Sequence, residues 1–183
     1  MDMAAIGKVQ GILAACEALN EWANHSSRYM FEVLARNGSL VSEQLETAVL
    51  REKLLELPAP PAGPLELKAT LIPVNDWIEE TRRICDKWFF FYEDELHREE
   101  AQKRRTAWWS GVKRSVSGQA ERRVGGQNLL SAMCHLLRLA IGEDPEAVFS
   151  MENTTNAFYG LEWDDLVYVT RSRIFWLHFS FSD

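Results

Sequence analysis

The sequence predicts a mainly α-helical protein, a single-domain bundle of about five helices around a long central helix rich in aromatic residues. The first observation is that apolar residues recur at three- and four-residue steps in several segments, which is the spacing of one helix face. The second is an aromatic content of seven Trp, nine Phe and four Tyr among 183 residues, enough to fill a core. The composition, 46% hydrophobic and 26% charged, excludes collagen-like, low-complexity and fully disordered chains.

The segment before the first proline is predicted to be helical. Residues 6–36 keep helical apolar spacing, either as one helix or as two helices broken near 25–27. Asn37 and Gly38 then supply a left-handed stop, and a second helix follows until Pro58.

A proline-rich segment separates these helices from the rest of the chain. Residues 58–64 hold four of the six prolines, which favours a stiff extended connector. The 57 residues before it contain few large side chains and would make a poor core alone. We therefore expect one domain over residues 1–183, with 58–64 joining helix 2 to the remainder.

The central helix is predicted to begin near Asp76. Asn75 is a suitable N-cap, and acids in the first turn, including Glu79 and Glu80, suit the helix dipole. Apolar residues then follow helical spacing as far as Leu96.

The last part of the chain is predicted to be helical with an ambiguous end. A helix is expected over about 127–141, closed by Gly142. Residues 163–181 fit helical spacing but have the composition of strands, and we predict helix as far as about His178. The alternative of a short strand pair formed by residues 65–72 and the C-terminus is left open.

The chain carries no sign of export or membrane insertion. Its N-terminus lacks a basic signal region, and no run of 18 apolar residues occurs. Cys16, Cys85 and Cys134 are odd in number and far apart, which favours buried reduced thiols. We expect a cytoplasmic protein without membrane association.

Charge is segregated along an acidic chain of net charge −7. Residues 103–123 carry seven basic side chains against Glu121, a net charge of +6, which leaves −13 elsewhere. Residues 139–170 contain seven acids and no Lys or Arg. The two segments are complementary and could pair with each other or with a partner.

The leading prediction is a non-catalytic protein-binding module, a small acidic adaptor or inhibitor that presents an aromatic helix face and a charged rim. Aromatic residues anchor interfaces because they desolvate large areas at little rotamer cost. The predicted contact residues are Phe90, Phe91, Trp108, Trp109, Glu162, Asp164 and Asp165. The partner is another protein, and a homo-oligomer is also open.

Nucleic-acid binding is the first alternative. Basic residues for phosphates lie near two Trp that could stack on bases. The candidates are Lys103, Arg104, Arg105, Lys113, Arg114, Arg122 and Arg123. The net charge of −13 in the rest of the chain opposes a polyanion, so this prediction ranks second.

A helical enzyme is the second alternative. Glu93, His97 and Glu100 share a helix flank at a spacing that could hold one divalent metal ion or serve acid–base chemistry. Common catalytic and phosphate-binding motifs are missing. We therefore expect no cofactor, and we favour a protein that is not an enzyme. A triad assembled in space stays open, because His25, His135 and His178 could approach acids in the fold.

Overall fold

Helices and antiparallel strands both contribute to this fold. A computed structural model describes residues 1–22, 26–56, 66–89, 119–142, 144–155 and 162–182. In chain order the elements are α1 (Met3–Trp22), β1 (Ser26–Ala35), α2 (Val41–Glu56), β2 (Leu67–Pro73), α3 (Trp77–Phe89), α4 (Gln119–Ile141), β3 (Ala147–Thr155), β4 (Glu162–Val169) and β5 (Arg173–Ser182). The protein is therefore mixed α/β, and the prediction of a mainly α-helical bundle is wrong.

The five strands form one antiparallel sheet in the order β1-β5-β4-β3-β2. Ser26 pairs with Ser182, and Glu162 pairs with Phe181, so β1 and β4 begin where β5 ends. β3 reaches the same end at Thr155, opposite the start of β2. This end is termed the upper end. Strands from both sides of the proline-rich connector thus share one sheet.

Helices cover both faces of the sheet. Phe175, Leu177 and Phe179 of β5 belong to the core that α1, α3 and α4 complete on one face. The alternate β5 residues Ile174 and Trp176 pack on the other face with residues of α2. Successive side chains of a strand point to opposite faces, and helices cover both faces, so both sets are buried.

The predicted helix over residues 6–36 is wrong beyond α1. β1 begins at Ser26, and Ser27, Tyr29 and Phe31 alternate as its buried residues. This two-residue period is the spacing of a strand. Met30, Val33 and Leu34 of the same strand also fitted three- and four-residue steps, and that coincidence produced the error.

β4 and β5 replace the helix predicted up to about His178. All residues from 174 to 180 are buried, because helices cover both faces of the sheet. Such a strand is largely apolar on both faces, and in β5 only residues 178–182 alternate between polar and apolar, so helical spacing was preferred. β2 (Leu67–Pro73) overlaps the predicted strand segment 65–72 but pairs with β3 rather than with the C-terminus.

α3 begins as predicted but with a different cap. The Asp76 carboxylate Oδ1 accepts a hydrogen bond from the backbone N–H of Glu79 at 3.0 Å, so Asp76 rather than Asn75 is the N-cap. Cys85 and Trp88 of this helix are buried, as the apolar spacing predicted. The predicted continuation to Leu96 lies outside the described residues.

The sheet edges are capped by helix side chains. On β1, the Phe31 carbonyl oxygen accepts a hydrogen bond from Gln10 Nε2 at 3.1 Å. On β2, the Ala69 N–H donates to Glu46 Oε1 at 2.9 Å. Unpaired edge groups are templates for pairing with another strand. At these two positions, the edge groups are already hydrogen-bonded to side chains of the helices.

Gly142 closes α4 in a conformation that favours glycine, and this leads to a first prediction. Its φ is 78°, and an added Cβ would collide with the backbone nitrogen of Met1. Gly38 has a similar φ of 88° with open space around it. Gly38→Ala should lower the free energy of unfolding by about 1–2 kcal/mol, from backbone strain alone. Gly142→Ala should cost more in urea unfolding, and equal costs would contradict the predicted collision.

Candidate functional site

Most of the side chains predicted for binding lie outside the described residues. These are Phe90, Phe91, Trp108 and Trp109 for a protein partner, Lys103, Arg104, Arg105, Lys113 and Arg114 for nucleic acid, and Glu93, His97 and Glu100 for a metal ion. Arg122 and Arg123 belong to α4, but their side chains are likewise outside the described part. All these predictions therefore stay predictions.

Three predicted binding residues are described, and all lie on β4 at the upper end of the sheet. Glu162 and Asp164 point to the face covered by α3 and are partly exposed, whereas Asp165 points to the opposite face and is only 2% exposed. The alternation of the strand thus divides the acidic segment into two sites of different chemistry.

The first site is an ion cluster formed by Glu162, Asp164 and Lys87, here termed the β4 acidic cluster. The Lys87 ammonium lies 2.6 Å from Glu162 Oε1 and 2.6 Å from Asp164 Oδ2. The Trp88 indole N–H donates to the same Asp164 oxygen at 2.7 Å, and Lys87 Nζ lies 5.1 Å from the Trp88 ring centroid. Two carboxylates and an aromatic ring therefore surround one cation.

The environment of Lys87 keeps its ammonium charged. Burial by itself would lower the pKa of Lys87, but hydrogen bonds to Asp164 and Glu162 outweigh burial and raise it. One cation facing two carboxylates leaves this cluster with a net charge of −1. The cluster can attract a further positive group.

The second site is a buried network of Asp165, His178 and Ser180, here termed the Asp–His–Ser network. Asp165 Oδ1 lies 2.7 Å from His178 Nδ1, and His178 Nε2 lies 2.9 Å from Ser180 Oγ. The Trp176 indole N–H also donates to Asp165 Oδ1, at 2.7 Å. Asp165 and His178 face each other directly across β4 and β5, which explains how residues 13 apart meet.

The hydrogen bonds define the roles in this network. With Asp165 ionised and His178 neutral, the carboxylate can only accept, so His178 Nδ1 carries its hydrogen toward Asp165. In the neutral imidazole, Nε2 is then an acceptor, and the Ser180 hydroxyl donates to it. The order acid, imidazole, hydroxyl is that of a nucleophile activated by a general base.

The pairing between β3 and β4 ends beside this network. Within the described residues, β3 and β4 pair over four positions, from Ala147–Val169 to Ser150–Leu166. β4 continues to pair with β5 beyond that point, as far as Glu162. The Asn153 amide nitrogen of β3 lies 3.4 Å from Asp165 Oδ2, a long hydrogen bond across the gap.

The cysteines contribute no reactive site. Cys16, Cys85 and Cys134 are all free thiols. Burial raises the pKa of Cys16 to about 11 and raises that of Cys85 well above its usual value. These thiols stay protonated near neutral pH and are poor nucleophiles. Among the described residues, no three His, Cys, Asp or Glu side chains are grouped closely enough to bind a metal ion.

Sequence reasoning predicted Asp165 to be a partner-contact residue and did not connect it to His178, Ser180 or Trp176. The available signal was the alternation in β5, where Trp176, His178 and Ser180 alternate with aromatic and aliphatic residues. Read as a strand, this pattern places all three on one face.

No helix in the described part of the chain combines the length and apolar character needed to cross a bilayer. Comparison of the chain with protein-family models, with curated proteins and with solved structures found no match.

Proposed function

We propose that this protein is a protein-binding module that captures a basic partner at the β4 acidic cluster. The observation that carries the proposal is that Glu162 and Asp164 already hold one ammonium, that of Lys87, at 2.6 Å each. The carboxylates are fixed before any partner arrives, so less side-chain freedom is lost on binding. The excess negative charge suits a Lys- or Arg-rich protein segment.

The position of the cluster supports contact through side chains. The Glu162 side chain is 43% exposed at the start of β4, so a partner can reach it. Phe89 and Phe181, which are partly buried, lie at the same end of the sheet and offer apolar contacts beside the charges. The capped groups at Phe31 and Ala69 disfavour binding by addition of a strand to either edge.

A cytoplasmic location is part of this proposal. Three free thiols in a chain of this size suit a reducing compartment. An adaptor or inhibitor that occupies a basic surface on its target would act there, and its association would be faster at low salt.

Charge reversal at Glu162 is the sharpest test. Asp165 is buried and Asp164 holds the Trp88 indole, so replacing either would disturb the fold as well as the surface. Glu162→Lys should weaken binding of the partner about tenfold or more, because it places a cation beside Lys87. The matched control is Glu79→Lys on α3, where the side chain is 67% exposed.

The partner would be captured from the native cell, identified, purified and then titrated against each variant. We expect wild type and Glu79→Lys to bind alike, with affinity falling as salt rises from about 50 to about 300 mM. Equal binding by Glu162→Lys, or a partner without a basic contact surface, would refute the proposal.

A further inference from the structure

Ser180 occupies a chemical environment that a purely structural serine does not require. Its hydroxyl is bonded to His178 Nε2, and the other ring nitrogen is held by Asp165. Asp165, His178 and Ser180 are 2%, 3% and 6% exposed. In such surroundings a charged imidazolium formed during proton transfer would be stabilised by the nearby carboxylate.

The strands beside Ser180 add a cation to this arrangement. Arg28 of β1 pairs directly with Ser180, and Trp163 of β4 pairs with it from the other side. Directly opposed residues have Cβ atoms about 4.5–5.5 Å apart, on the same face. Arg28 therefore contributes a positive charge on the same face as the hydroxyl.

We propose that Ser180 is a nucleophile for acyl transfer from a small carboxylic ester, with His178 as general base and Asp165 as the positioning residue for His178. This activity is separate from partner binding at Glu162. The end of the β3–β4 ladder at Ser150–Leu166 lies next to Asp165, where the sheet has no continuous pairing. Burial of Ser180 restricts the substrate to a small ester.

In the proposed step, Ser180 Oγ forms a bond to the carbonyl carbon, and the bond from that carbon to the leaving oxygen breaks. The Ser180 proton passes to His178 Nε2 and then to the leaving alkoxide, which departs as an alcohol. Water, activated by the same nitrogen, attacks the acyl group on Ser180 and releases the carboxylic acid. One ester and one water thus give one acid and one alcohol, and the side chains are restored.

The test uses the full chain and a small fluorophosphonate probe. Reaction forms a bond between Ser180 Oγ and phosphorus and releases fluoride, so intact and peptide mass spectrometry can locate one adduct. We expect labelling of wild type at Ser180, and labelling and hydrolysis of p-nitrophenyl acetate reduced at least about 100-fold in Ser180→Ala and His178→Ala. Ser131→Ala, an exposed serine of α4, should react like wild type.

Asp165→Asn separates positioning from a structural role. His178 Nδ1 and the Trp176 indole bond the same oxygen, Oδ1, so asparagine keeps that acceptor but loses the negative charge that stabilises an imidazolium. We expect a folded variant, by circular dichroism, with labelling slowed at least about 100-fold and an altered pH profile. An unlabelled wild type, or an adduct that persists in Ser180→Ala, would overturn the proposal. Neither result would affect binding at Glu162.

Discussion

Asp165→Ala should lower the free energy of unfolding by about 3–5 kcal/mol, because two buried donors each lose a hydrogen bond to a carboxylate, at a cost of about 1.5–3 kcal/mol each. Asp165 accepts hydrogen bonds from His178 and from the Trp176 indole while almost completely buried. Alanine would leave both donors without this acceptor and would leave a cavity next to Trp176.

Urea unfolding followed by tryptophan fluorescence measures this loss. Glu152→Ala, an exposed acid on neighbouring β3, should change stability by less than about 0.5 kcal/mol. Asp165→Asn should fall between the two, because one acceptor oxygen remains. A loss below about 1 kcal/mol for Asp165→Ala would mean that the network contributes little to the fold.

Trp88→Ala should also lower the free energy of unfolding by about 3–5 kcal/mol, as expected for truncation of a buried tryptophan. The Trp88 ring is stacked on Phe179 at 5.9 Å between centroids and meets Tyr29 edge-on at 5.9 Å. It links α3 to the sheet, and its indole N–H holds Asp164 of the β4 acidic cluster. The Tyr29 hydroxyl in turn donates to the Trp88 carbonyl oxygen at 2.8 Å.

One further variant separates the contributions of Trp88, and a second variant is the control. Trp88→Phe keeps much of the apolar area but loses the hydrogen bond to Asp164, and should cost about 1–3 kcal/mol. Leu40→Ala removes an exposed leucine and should change stability by less than about 0.5 kcal/mol. Chemical denaturation of the three variants measures these changes in the free energy of unfolding. A Trp88→Ala variant as stable as Leu40→Ala would contradict the packing described.

The helices were predictable where one face alone is buried. α3 shows this, because its polar surface leaves a clear stripe that includes Ile84, Cys85 and Trp88. α4 ends at Ile141, as its apolar spacing and Gly142 predicted. Strands buried on both faces are largely apolar, and because β5 alternates only over residues 178–182, it was predicted to be mostly helix.

The sequence could predict the acids of the two sites but not how these acids are arranged in the fold. The acids of β4 were visible as a run without Lys or Arg, but their division between two faces depends on strand alternation that was not predicted. The pairing of Asp165 with His178 depends further on register, since a shift by one residue would turn the β5 side chains to the other face. Lys87 comes from a distant helix, and only the packing of α3 on the sheet brings it to Glu162.

The most direct test of partner capture at β4 is a reciprocal charge reversal, measured as Kd for the purified partner. Glu162→Lys should raise Kd about tenfold or more, and replacing the contacting basic residue of the partner with Glu should restore it to within about threefold. If Glu162→Lys leaves Kd unchanged, or the paired reversal restores nothing, the β4 acidic cluster is not the binding surface.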